Sequence, residues 1–167
     1  MRKIGIIAVL SLMAVALAAV PALAQNEHFV RASGSLNNDG SLTVSFKEAG
    51  LGTNQLIDYT LTADATATYV CVNRGGANPS ASNKTTVSGP VSASGTFSSG
   101  KNGQVTASLT VSPPPSDISC PPGQSLELAS VTYTNVTLTD TTNNISIELG
   151  DFSSGCLLPN VRGACTP

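Results

Sequence analysis

After an apolar opening stretch, hydrophobic side chains recur at every second position through most of the chain, the trace of strands with one buried and one wet face. Helical periodicity is absent after that stretch. Val30, Ala32, Gly34 and Leu36 alternate with Phe29, Arg31, Ser33 and Ser35, and Leu42, Val44 and Phe46 alternate with Thr43, Ser45 and Lys47. The Asn37-Asn38-Asp39-Gly40 segment between them carries turn chemistry, so these rows predict a hairpin with Val30, Ala32, Gly34 and Leu36 on one face.

Beyond Gly50 and Gly52, Ile57, Tyr59, Leu61 and Ala63 form another inward row, which the threonine-rich stretch from Thr66 to Val72 extends. Arg74-Gly75-Gly76-Ala77-Asn78-Pro79 reads as a loop. Val87, Val91, Ala93 and Phe97 share one parity, and Val105, Ala107, Leu109 and Val111 share another after turn residues 98–103, which predicts a second hairpin. Pro113-Pro114-Pro115 cannot donate to a ladder and ends that strand in an extended connector towards Cys120-Pro121-Pro122-Gly123. Leu126, Leu128, Val131, Tyr133, Val136 and Leu138 fit one long strand only if its parity slips once or twice at β-bulges. Thr142-Asn143-Asn144 then turns into Ile145, Ile147 and Leu149. The expected fold is all-β, a sandwich of about 7–9 antiparallel strands.

The opening stretch has Arg2 and Lys3, an apolar run from Ile4 to Val20 and Pro21-Ala22-Leu23-Ala24, the layout of a secretory signal with a small-x-small cleavage site. Residues 1–24 are therefore expected to be a signal peptide and residues 25–167 a single secreted, extracellular domain without membrane insertion. A domain of that length buries about two thirds of its unfolded-chain surface and supports one core. Its basic residues (Arg31, Lys47, Arg74, Lys84, Lys101, Arg162) are scattered, which argues against nucleic acid as a partner.

An exported chain with four cysteines, Cys71, Cys120, Cys156 and Cys165, most simply forms two disulfides, and three pairings are open. Cys71–Cys120 and Cys156–Cys165 are favoured, because the first two flank loops rich in glycine and proline. The last two sit in an irregular tail with Gly155, Pro159 and Gly163 that can fold back on itself.

The segment Ala65-Thr66-Ala67-Thr68-Tyr69-Val70-Cys71 resembles the Ala-x-Tyr-x-Cys end of a strand in immunoglobulin variable domains, which implies an immunoglobulin-like sandwich. The chain has no tryptophan and no earlier cysteine for Cys71 to join, so the central pin of that family is missing. Asn102-Gly103 with Ser108-Leu109-Thr110-Val111 is similar to the neocarzinostatin type of secreted sandwich, which implies that a domain of this size can enclose a small ligand. More broadly the chain resembles small exported bacterial β-sandwich proteins, a likeness that implies no activity.

No catalytic constellation stands out. The one histidine, His28, lies near the expected mature amino terminus without a recognisable nucleophile or carboxylate partner. Glu127, Asp140, Glu148 and Asp151 of the final hairpin region could supply a glycosidase pair, but three tyrosines and four phenylalanines leave little aromatic surface for stacking sugars. Asn37-Asn38-Asp39-Gly40 and the Asp140, Asn143, Asn144 group resemble fragments of calcium loops, but the distal glutamate of such a loop is missing, and turn chemistry explains both. No metal, cofactor or catalytic residue is expected. Glycan-acceptor sequons start at Asn83, Asn135 and Asn144.

The leading expectation is a secreted, non-catalytic binding protein whose partner is an extracellular protein or surface. The alternative is a carrier of a small apolar ligand, suggested by small inward residues (Ala32, Gly34, Ala63, Ala93, Ala107). A secreted hydrolase ranks third.

Overall fold

The computed structural model describes residues 26–76 and 83–165, so the expected signal peptide and the Pro79 end of the glycine-rich loop lie outside the described residues. Seven strands follow one another: β1 (His28–Leu36), β2 (Leu42–Ala49), β3 (Leu56–Asn73), β4 (Lys84–Ser98), β5 (Gln104–Val111), β6 (Gln124–Asp140) and β7 (Ile145–Ser153). They make two antiparallel sheets, ordered β1-β2-β5 and β4-β3-β6-β7, whose inner faces enclose the main core. The chain is an all-β sandwich.

The alternation read from the sequence sets the inner faces. Leu42, Val44 and Phe46 of the small sheet meet Ile57, Tyr59, Leu61, Val131, Tyr133 and Leu138 of the large one, all nearly inaccessible to solvent. Phe29, Phe46, Tyr59 and Phe97 gather at one end, where the Phe46 and Tyr59 rings lie 4.7 Å apart. At the other end the Tyr133 hydroxyl donates to the Gly40 carbonyl at 2.8 Å, which joins β6 to the β1–β2 turn.

Two expectations need correction. The first hairpin forms, but a bulge between Phe29 and Arg31 exchanges the faces at its open end. Phe29 turns in against the aromatic cluster, and Val30 is left 52% exposed. The second expected hairpin does not form: β4 pairs with β3 from Leu56–Ser98 to Val70–Lys84, and β5 pairs with β2. Residues 99–103 cross between the sheets instead of turning within one. The buried Ser99 hydroxyl accepts from the Gln55 amide and donates to the Gly52 carbonyl, fastening this crossing to the other one at residues 50–55.

β6 bears out the expected parity slips. Its register against β3 shifts between Thr68 and Tyr69, where Ala129 is the extra residue, and again around Asn135, which adopts a φ of 54°. The large sheet outruns the small one: β3 has 18 residues and β6 has 17, against 8 for β2 and β5. Other segments cover the overhang. On the inner face lies the proline connector, held by Cys71–Cys120 and by a 2.9 Å hydrogen bond from the Tyr69 hydroxyl to the Pro114 carbonyl. On the outer face the tail closed by Cys156–Cys165 packs Leu158, Val161 and Ala164 over Val70, Val72 and Ala129. Both disulfides pair as expected and suit an oxidising compartment. No helix among the described residues is long and apolar enough to cross a membrane.

Candidate functional site

The broadest polar feature is the outer face of the large sheet. The same alternation that turns Leu61, Ala63, Ala65 and Ala67 inwards turns Thr60, Thr62, Asp64, Thr66 and Thr68 outwards. β4 adds Thr86, Ser88, Ser92, Ser94 and Thr96 beside them, and β6 adds Thr132, Thr134, Thr137 and Thr139. Strand geometry repeats these positions at about 6.8 Å along a strand and about 4.8 Å between strands.

Neighbouring hydroxyls pair across the ladder: Thr60 with Ser94 at 3.0 Å, Thr66 with Ser88 at 2.9 Å and Thr68 with Thr86 at 3.2 Å. Thr96 donates to Asp58 at 2.6 Å. Each paired hydroxyl keeps further capacity towards solvent, because it has one donor and two acceptor positions. The small sheet shows the same chemistry in the 2.8 Å pair Thr43 and Thr110.

Shallow grooves interrupt this face among the described residues. The first, of about 380 Å³, lies where the tail meets the array and is lined by Thr68, Thr86, Ser130 and Cys165. Another of about 360 Å³ runs past Asp64, Pro90 and Asn135. The third, of about 200 Å³, holds Glu148 and Asp151 beside Asn135 and Thr137. Asn135 lines both of these last two grooves, its side-chain amide donating to Asp64 at 2.9 Å.

The other candidates fall at separate places. His28 is exposed and its Nδ1 lies 2.7 Å from the Asn26 carbonyl oxygen. Of the four carboxylates in the final hairpin region, Glu148 and Asp151 share a groove. Glu127 is exposed further along β6, and Asp140 faces the core, fully buried. Asp140 accepts from the amides of Thr142 and Asn143 and from the Asn143 side chain, so it caps the β6–β7 turn. Asp39 does the same for the β1–β2 turn, where the Ser41 hydroxyl and amide hold its carboxyl below the usual carboxylate range. Of the sequon residues, Asn144 is exposed at the β6–β7 turn, Asn135 is exposed on the outer face, and the half-buried Asn83 donates to Gln124 at 3.3 Å. Among the small residues, a methyl at Gly34 would strike the Phe152 ring, and one at Gly95 would meet Phe97 and Leu109.

The sequence reading passed over Glu48. It follows Leu42, Val44 and Phe46 at the same parity on β2, and its side chain is completely buried. Tyr59 and Asp140, a register pair on β3 and β6 and both fully buried, face it from the large sheet. No protein donor or acceptor meets either Glu48 oxygen or the Tyr59 hydroxyl in hydrogen-bonding geometry. Burial above all pushes the Glu48 carboxyl up to about 7; Asp140 and Glu27 push in the same direction and the Tyr59 hydroxyl opposes them. The signal was present in the alternation, which places residue 48 inwards whatever its chemistry.

Comparison with known protein families and with curated proteins finds no match for this chain.

Proposed function

We propose that this is a secreted, non-catalytic binding protein that uses the outer hydroxyl face of the large sheet to hold an extended extracellular surface, of polysaccharide or comparable polyhydroxylated character. The observation that carries the reading is the array of threonine and serine hydroxyls spread over β4, β3 and β6. A net hydrogen bond in water is worth only about 1 kcal/mol, so such a face gains affinity by making many bonds at once to a repeating partner. Asp58, Asp64, Glu148 and Asp151 give it acidic charges, which fits a neutral ligand better than an anionic one. Secretion rests on the expected signal peptide and on the two disulfides.

An immunoglobulin-like assignment is supported by strand order. With β1, β2 and β5 as strands A, B and E, and β3, β6 and β7 as C, F and G, the arrangement matches an immunoglobulin constant domain except that the fourth strand lies beside C.

The reading is tested by sedimenting the mature protein with insoluble polysaccharides and with a protein matrix, alongside the double variant Thr62→Arg/Thr66→Arg. Both positions are exposed, so the variant keeps the fold and inserts two bulky charges into the array. Retention on a polysaccharide that the variant loses supports the proposal. Retention on none of them, or equal retention of the variant, refutes it.

A further inference from the structure

Among the described residues, Glu48 is a buried carboxyl that neither the fold nor the proposed binding face accounts for. Its two oxygens have no hydrogen-bond partner and its side chain has no solvent exposure. An ionised carboxylate in that position would lack hydration, and the Tyr59 phenol, outside good hydrogen-bonding geometry, would compensate it only in part. The surroundings deepen the problem. Phe29 and Val105 are its cross-strand neighbours on β1 and β5, and both are apolar. The ionisable groups acting on it are Tyr59 of β3, Asp140 of β6 and Glu27 just ahead of β1, none of which is cationic.

Asp140 differs from Glu48 in having its oxygens engaged. Both of its oxygens accept hydrogen bonds from the turn that follows it. Of the two buried carboxyls facing each other, Glu48 is therefore the one left without hydrogen-bond partners. A divalent cation is the other way to neutralise such a pair, but Asp140 is committed to its turn and no three metal-ligating side chains converge among the described residues.

We propose that Glu48 is a proton-holding switch: folded protein keeps it as a neutral carboxylic acid, and its ionisation, with release of the proton to solvent, loosens the sandwich where β2 faces Tyr59 and Asp140. Its folded-state ionisation lies at about 7, above the ordinary value of 4.5. The native state therefore binds the proton more tightly than the unfolded chain does. The associated stability is fully present below 4.5 and is lost as pH rises through the folded value.

The test is the unfolding equilibrium of the disulfide-intact mature protein across this range, for the wild type, Glu48→Gln and Tyr59→Phe, with infrared detection of the protonated carboxyl. Relative to Glu48→Gln, the folded-to-unfolded ratio of the wild type should fall by up to about tenfold per pH unit between the two values and level off above them. The wild type should also show a buried carboxylic-acid carbonyl band at mildly acidic pH that fades on alkalinisation and is missing from Glu48→Gln. Parallel pH profiles of wild type and Glu48→Gln, or no such band, would overturn the proposal. If Glu48→Gln does not fold, Tyr59→Phe decides. The phenol favours the ionised form, so its loss should move the wild-type decline to higher pH, and an unmoved decline contradicts the switch. Stabilisation by calcium ions that depends on Glu48 would also overturn it, in favour of a cation site.

Discussion

Three residues show how far local chemistry decides this structure. Asn135 holds the second bulge of β6 in the left-handed region, a conformation that costs most side chains about 1–2 kcal/mol. Asn135→Ala is accordingly expected to lower stability by about 1 kcal/mol, while Asn135→Gly stays close to wild type, as read from denaturant midpoints. Tyr133 carries a buried hydroxyl whose single partner is the Gly40 carbonyl. Tyr133→Phe leaves that carbonyl unpaired and is expected to cost about 1–3 kcal/mol, measured in the same titration. Glu48 could be read from its parity with Phe46, but its meaning could not. The sequence does not reveal that Asp140, more than ninety positions away, faces it with both carboxyl oxygens already accepting hydrogen bonds from its own turn.

The strands themselves were largely legible because a period-two pattern needs no knowledge of partners. Even the slips in β6 could be read, since Val131 and Tyr133 differ in parity from Leu128 and from Val136. Pairing was less legible. β4 and β5 are joined by a short turn-rich segment, which looks the same whether it closes a hairpin or crosses between sheets; the 18-residue β3 offers β4 a far longer ladder than the 8-residue β5. The bulge at Phe29 was hidden because Phe29 and Val30 are both apolar, and only the aromatic cluster selects between them.

The two disulfides act on different elements. In the chain-entropy account the 49-residue separation of Cys71–Cys120 stabilises by about 4 kcal/mol and the 9-residue separation of Cys156–Cys165 by about 2.7 kcal/mol. Replacing Cys156 and Cys165 with serine should speed amide hydrogen exchange around Val70 and Ala129, under the tail, and leave exchange near Leu61 and Leu138 unchanged. Uniform acceleration would show that the tail and the main core open together.

At the scale of the whole molecule, one sheet does two jobs: its inner face builds the core, and its outer face presents hydroxyls in register over three strands. The small sheet and the proline connector cover the inner face, and the disulfide-closed tail covers one end of the outer face and leaves the rest of the array open. That separation lets the face be altered without touching the core. The composition hinted at it, since a chain rich in threonine and serine must put them outside, yet the spatial continuity of the array emerges only from the register of β3 with β4 and β6. The most direct measurement is the co-sedimentation of residues 25–167 and of their Thr62→Arg/Thr66→Arg variant with insoluble polysaccharides. Binding by the wild type that the variant abolishes, with an unchanged unfolding midpoint, is the outcome this account predicts. Binding that survives the two arginines, or no binding to any polysaccharide, would contradict it.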